Sequence, residues 1–248
     1  MLDVVYILKN DISSEEIRYS LRSVEENFPH RKVFFFGGRP PMINPDVMVP
    51  IHQFGMNKWE KVRNSLIKVC QNDEVTDDFF LFNDDFYILK PVDTENFINF
   101  SDGDLEGRAK DIIHRYGKGS QYSTQLLQTA TFLKAHGKPS KSFVLHLPML
   151  INKQKALEVL TMKGMPPMFR SLYANMAEVP YETRKDVKIY TNDLTPGEDW
   201  DYLSTTDESF RDGEVGKWIR ARFPNPSRFE KINAPVHDLY TEEGDDTY

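Results

Sequence analysis

Cysteine is almost absent from this chain of 248 residues. Cys70 stands alone, which excludes an internal disulfide and any zinc cluster built on cysteines. Its neighbours Leu66, Ile67 and Val69, on an expected helix, make it a buried structural thiol. Long hydrophobic runs are missing too. None approaches the ~18 residues of a membrane span, and the N-terminus lacks the basic region, apolar stretch and small-residue cleavage site of a signal peptide. The expectation is a cytoplasmic protein with no membrane span. A Gly-x-Ser-x-Gly elbow, a Walker phosphate loop and a Gly-x-Gly-x-x-Gly turn are also lacking, which argues against a simple hydrolase, a P-loop kinase and a nicotinamide enzyme. Positive charge is in deficit: 31 Lys and Arg stand against 38 Asp and Glu, for a formal net charge of −7. That speaks against a broad nucleic-acid-binding face and leaves room for a local basic groove.

What is present is one interrupted apolar run, Phe79-Phe80-Leu81-Phe82-Asn83-Asp84-Asp85-Phe86-Tyr87-Ile88-Leu89. Its first part suits a strand buried on both faces, with Asn-Asp-Asp where that strand should end. Burying an unpaired carboxylate costs several kcal/mol, and two adjacent ones repel each other, so something must compensate them. A divalent cation does so, held by one or two carboxylates with substrate phosphates as its other ligands, and the carboxyl ends of strands are where open α/β sheets bind ligands. The alternative is a turn between two hairpin strands.

Around this run the pattern alternates. Asp3 to Leu8 reads as a first strand. Ser13 or Ser14 caps a helix to Phe28, Lys32 to Phe36 is a second strand, Val47 to Ile51 a short edge strand, and Asn57 to Val69 a helix. The fold class predicted is α/β, with a mostly parallel central sheet flanked by helices. Residues 92–119 read as a long connection over a site. Helices are expected at Tyr122 to Ala135, Asn152 to Thr161, Phe169 to Ala177 and Val215 to Phe223. Strands are expected at Phe143 to Leu147 and Val187 to Tyr190. Residues 236–248 read as a loose acidic tail.

His146 interrupts its own apolar stretch as the aspartates interrupt theirs, and is a candidate metal ligand or phosphate contact; the alternative is a core histidine bonded to backbone. Arg18 and Arg22, four apart, share a helix face, and Lys58, Lys61 and Asn64 share another. Such faces either grip phosphate or are simply solvated.

Several segments resemble bacterial and phage sugar-transferring proteins related to the Stealth group, which look like GT-A nucleotide-sugar enzymes. The resemblance lies in Asp3-Val4-Val5-Tyr6, in Ile17-Arg18-Tyr19-Ser20-Leu21-Arg22-Ser23-Val24-Glu25 and in Phe80-Leu81-Phe82-Asn83-Asp84-Asp85-Phe86. More weakly, it extends to His146-Leu147-Pro148 and Phe169-Arg170-Ser171-Leu172-Tyr173-Ala174-Asn175. The chain departs from the group's sugar-phosphate transferases at Ile7-Leu8-Lys9-Asn10, where those have Trp-Val-Asp-Gly. The resemblance implies a single GT-A-like, Rossmann-type domain, with residues 1–91 as the nucleotide-sugar half and 92–235 as the acceptor half. Its activity would be metal-dependent transfer of a sugar from a nucleotide sugar, a UDP-sugar foremost, to a glycan, polymer, protein or modified phage DNA base. Sugar-1-phosphate transfer and a non-catalytic carbohydrate- or nucleotide-binding protein are the alternatives.

In that reading Asp84, Asp85 and His146 hold Mn²⁺ or Mg²⁺. Tyr6, Lys9 and Asn10 lie near the nucleoside, and Arg18, Arg22, Lys58, Asn64 and Arg170 contact the donor. Asp207 is the catalytic base, with Glu106 and Asp193 as equals. For a DNA acceptor, a basic groove would draw on Lys110, His114, Arg115, Lys118, Lys134, Lys138 and Lys141.

Overall fold

The computed structural model describes residues 1–10 and 15–231. The Ser13 or Ser14 cap, His237 and the acidic tail lie outside the described residues. The first half alternates as the sequence pattern predicts: β1 (Asp3–Leu8), α1 (Glu16–Asn27), β2 (Val33–Gly37), β3 (Val47–Val49), α2 (Lys58–Cys70) and β4 (Asp78–Phe82). Next come β5 (Phe86–Ile88), β6 (Asn99–Ser101), α3 (Leu105–Tyr116), α4 (Gln121–Ala135) and β7 (Met149–Asn152). The helices α5 (Lys153–Leu160) and α6 (Phe169–Met176) follow, then β8 (Tyr181–Thr183), β9 (Lys188–Ile189), β10 (Tyr202–Thr205), α7 (Asp207–Asp212) and α8 (Glu214–Arg222).

The main sheet has the order β3-β2-β1-β4-β7, its first four strands parallel and β7 antiparallel at the edge. A strand with neighbours on both sides and helices on both faces must be largely apolar, and β1 is, apart from Asp3 at its start, which Arg31 pairs. Val4, Tyr6 and Leu8 pack with Ile17, Leu21, Val24 and Phe28 of the α1 layer. Val5 turns to the opposite layer, where Leu66, Val69, Ala156, Leu160 and Tyr173 bring α2, α5 and α6 onto the sheet. The α/β class with a mostly parallel sheet between helix layers is the observed architecture.

The strand before the aspartates ends where expected and the hairpin alternative falls, while two other expectations need correction. The run from Phe79 to Leu89 is two strands in two sheets: β4 ends at Phe82, and β5 leaves to pair antiparallel with β10, which pairs with β9. Asn83-Asp84-Asp85 is therefore not a hairpin turn. Residues 92–119 are not one long connection but carry β6, which pairs with β8, and the 12-residue helix α3, capped by Asp104 on the Gly107 amide at 2.7 Å. The strand expected at Phe143 to Leu147 lies later, at Met149–Asn152, because residues 143–147 find side chains instead of a strand for their backbone groups. Ser171 Oγ accepts from the Phe143 amide (2.9 Å), Asp186 accepts from the His146 amide (3.0 Å), and Arg170 donates to the Leu147 carbonyl (2.6 Å).

Candidate active site

β1 and β4 run parallel, so Lys9-Asn10 and Asn83-Asp84-Asp85 emerge at the same end of the sheet. Gly37 closes β2 beside them with φ +113°, a left-handed backbone where a Cβ would collide with the Leu8 carbonyl oxygen. Gly38 stands as close to the Lys9 carbonyl. The glycine pair thus lets the chain pass against the sheet mouth.

Four carboxylates lie near enough there to feel one another's charge. Glu16, the first residue of α1, is buried, and its Oε1 lies 2.6 Å from Thr205 Oγ1. Burial, followed by repulsion from Asp85, Asp84 and Asp207, pushes its carboxyl up to about 8 despite that hydrogen bond. Burial and then the neighbouring Asp85 push Asp84 up to about 6, with Asp207 adding and Lys9 opposing. Asp85 Oδ2 accepts from Lys188 Nζ at 2.8 Å and from Ser204 Oγ at 3.1 Å, while its Oδ1 is buried with no partner. Burial works against the Lys188 ammonium, but Asp85 more than offsets it and holds its affinity for the proton above the ordinary value.

Beside this centre opens a cleft of about 1380 Å³, bounded by Lys58 and Trp59 of α2, Asn83 after β4, Arg108 and Arg115 of α3, His146, Arg170 and Lys188. It exceeds the ~300–1,000 Å³ usual for one drug-sized ligand. Arg170 bridges its two ends, donating to the Leu147 carbonyl and, at 3.4 Å, to Asn83 Oδ1, with its guanidinium 5.3 Å from the Phe86 ring. Burial lowers this arginine to about 10, against the pull of Asp85 and Asp186. On the far wall His146 Nδ1 faces Asp186 Oδ2 at 3.0 Å and Oδ1 at 3.1 Å. Arg108 Nη2 donates to Asp186 at 3.2 Å, and Arg108 also pairs with Asp102.

No protein-family model matches the chain, and no curated protein matches its sequence. Among solved structures it is similar to a galactosyltransferase, LgtC, in complex with donor and acceptor sugar analogues, at 12% identity over 76% of each chain and a TM-score of 0.43. It is similar to the glycosyltransferase GlyE of Streptococcus pneumoniae at 11% identity, covering 74% of this chain and 45% of that one, with a TM-score of 0.37. Mouse xyloside xylosyltransferase 1 in its apo form follows at 9% identity, 95% and 100% coverage and a TM-score of 0.34. All three are glycosyltransferases, but at these TM-scores the likeness assigns neither fold nor activity to this chain.

The residues singled out from sequence divide into three sets. Asp84, Asp85, Lys9 and Asp207 meet at the sheet mouth, Asp207 as the exposed first residue of α7. Lys58, Arg170 and His146 line the cleft. The metal set of Asp84, Asp85 and His146 is not assembled: among the described residues no three His, Cys, Asp or Glu side chains gather to hold an ion, and His146 is engaged by Asp186.

Four donor contacts are displaced. Tyr6 is fully buried, its hydroxyl 2.9 Å from Ser20 Oγ and pushed well up by burial, because its strand position points under α1. Arg18 and Arg22 turn to Glu230, at 2.8 Å and 2.7 Å, and Arg22 also donates to the Phe223 carbonyl. Asn64 holds the Phe54 carbonyl at 3.0 Å. Asn10 is exposed beside Gly38. Of the basic groove residues, Lys134 and Lys138 are paired with Glu106 and Glu178.

Sequence reasoning missed the roles of Glu16, Asp186 and Lys188. The alternation Asp186-Val187-Lys188-Ile189-Tyr190 carried a signal for two of them, since it puts two opposite charges on one side of a short extended run.

Proposed function

We propose that the chain is a glycosyltransferase that moves a sugar from a nucleotide-sugar donor, with Mn²⁺ or Mg²⁺ on Asp84 and Asp85. The observation that carries this reading is the acidic strand end beside the cleft: a half-compensated carboxylate pair in which Asp85 Oδ1 is buried without a partner. An ionised oxygen left so costs several kcal/mol unless a cation meets it, and two carboxylates completed by donor phosphates fit a hard divalent ion. Bound there, the ion would neutralise charge growing on the leaving diphosphate.

The chain's own groups supply the rest. Lys188 fixes Asp85 from the protein side and leaves Oδ1 for the ligand. Arg170, held by backbone carbonyls, presents positive charge between the acidic centre and the far wall. Lys58 and Arg115, exposed on the cleft rim, are phosphate contacts for the same diphosphate. Lys9 and Asn10 are placed at the sheet mouth for the nucleoside. A UDP-sugar is the leading donor, and glycans, polymers, proteins and modified DNA bases all offer the hydroxyl that this chemistry needs. The reading places the activity in the cytoplasm, and among the described residues no helix is long and apolar enough to cross a membrane.

The test is a panel of nucleotide sugars with each metal, followed by mass spectrometry of acceptors. The expected result is metal-dependent release of the nucleoside diphosphate and an acceptor heavier by one sugar. An acceptor heavier by sugar plus phosphate would replace simple glycosyl transfer with sugar-1-phosphate transfer. Donor binding without turnover would make the chain a binding protein.

A further inference from the structure

We propose that His146 and Asp186 form a base dyad in which Nε2 of His146 takes the proton from the attacking hydroxyl. The inference rests on the glycosyl-transfer reading and deepens it.

The geometry is that of an oriented imidazole. Nδ1 lies within 3.1 Å of both oxygens of Asp186, so in the neutral ring it carries the proton as donor and Nε2 keeps its lone pair. Asp186 is itself fixed, accepting from the His146 and Val187 amides at 3.0 Å each and from Arg108 at 3.2 Å. Burial opposes its charge, but the hydrogen bonds from His146 and the charge of Arg108 prevail and hold its carboxyl well below the usual range. Asp186 therefore stays an acceptor and cannot itself take a proton. Nε2 has no hydrogen-bond partner among the described residues, and His146 lines the cleft with its ring edge-on to Phe86, 6.5 Å between centroids. Phe86 also carries the Arg170 guanidinium, 5.3 Å from its ring. Arg170, whose charge feels both Asp85 and Asp186, links the acidic centre to the base dyad.

The step balances without a further reactant. The hydroxyl oxygen bonds to the anomeric carbon as its proton passes to Nε2. The bond from that carbon to the donor phosphate oxygen breaks, its electron pair leaving with the nucleoside diphosphate. The imidazolium, stabilised by Asp186, then releases the proton to solvent. A single displacement of this kind inverts the anomeric carbon.

Water serves as the test acceptor, so the full chain can be assayed on UDP-sugars with Mn²⁺ before the natural acceptor is known. His146→Asn keeps a donor toward Asp186 but lacks Nε2, and should lose about a hundredfold to ten-thousandfold in donor hydrolysis. Added imidazole should restore part of the rate in His146→Ala. Asp186→Asn should slow the reaction and Asp186→Glu recover it, while ¹⁵N NMR of the wild type shows His146 protonated on Nδ1 and that of Asp186→Asn loses the preference. The sugar first released from an α-linked donor should be the β anomer. Release of the α anomer, undiminished hydrolysis by His146→Asn, or a tenfold loss of Mn²⁺ affinity in that variant measured with the metal alone would each overturn the dyad. Absence of turnover by the wild type on every donor would overturn the transferase reading, and the dyad's role with it.

Discussion

One helix carries two charged clusters of opposite character. On one side of α1, Arg18 and Arg22 close on Glu230, with side chains 14%, 7% and 4% exposed and both carboxylate oxygens engaged. At its start, Glu16 joins Asp84, Asp85 and Asp207 in a group where four carboxylates face Lys188 and Lys9. The first cluster is satisfied within the chain and ties the C-terminal segment to the sheet's helix layer. The second holds more negative charge than its cations offset, and one buried oxygen is orphaned. Burial alone does not separate scaffold from site; completeness of compensation does.

The largest expected effect breaks the satisfied cluster. Glu230→Ala leaves two part-buried arginines unpaired and should cost about 3–5 kcal/mol, seen as a fall in Tm on the order of ten degrees. The donor KM of whatever folded protein remains should be unchanged. A raised KM with normal stability would move Arg18 and Arg22 back to the donor site.

The surplus cluster should respond in the opposite sense. Asp84→Asn removes a charge that its neighbours repel, so Tm should hold or rise while metal-dependent donor turnover drops about a hundredfold or more. Loss of stability with retained turnover would make the strand-end aspartates scaffold.

The pH dependence of stability sharpens the contrast. Glu16 and Asp84 rise to about 8 and about 6 from ordinary values of 4.5 and 3.8, so the folded chain keeps protons that the unfolded chain has shed. Their contribution is full below the ordinary carboxylate range and is lost as pH climbs toward 8. Glu230 is depressed by Arg22 and Arg18 against its own burial, so its contribution is present above 4.5 and lost as pH falls. Urea unfolding from pH 4 to pH 8 should therefore show a stability maximum on the acid side of neutrality. Glu16→Gln should flatten the alkaline limb alone, and an unchanged limb would disconnect Glu16 from the centre.

The smallest effect is expected at the exposed rim. Lys58, its ammonium 4.6 Å from the Trp59 ring, is unpaired in the described contacts, and Lys58→Ala should raise the donor KM about twofold to fivefold. The difference should shrink in high salt. Insensitivity to salt would remove Lys58 from the diphosphate.

What was legible in the sequence follows from distance along the chain. The α/β order and the strand-end aspartates showed because apolar runs and their interruptions are local patterns. Helical spacing likewise put Arg18 and Arg22 on one face. It could not reveal that Glu230, 208 residues beyond Arg22, meets that face, and so the pair looked free for a phosphate. Asp85 acquires Lys188 across 103 residues and His146 acquires Asp186 across 40, through strands whose pairing no short window contains. Tyr6 misled for another reason: a polar atom on a central strand can be satisfied by its own covering helix, as Ser20 does here.

The reach of the Glu230 clamp also sets a timetable for biosynthesis. Arg22 leaves the ribosome 208 residues before its carboxylate does, a delay of roughly ten to forty seconds at ~5–20 residues per second. Through that interval a nascent β1-α1-β2 unit must carry two arginines in a surface that is later closed, long after β4 has emerged to pair with β1. The clamp is thus closed only when the last described turn, Ser227 to Glu230, docks on the first helix.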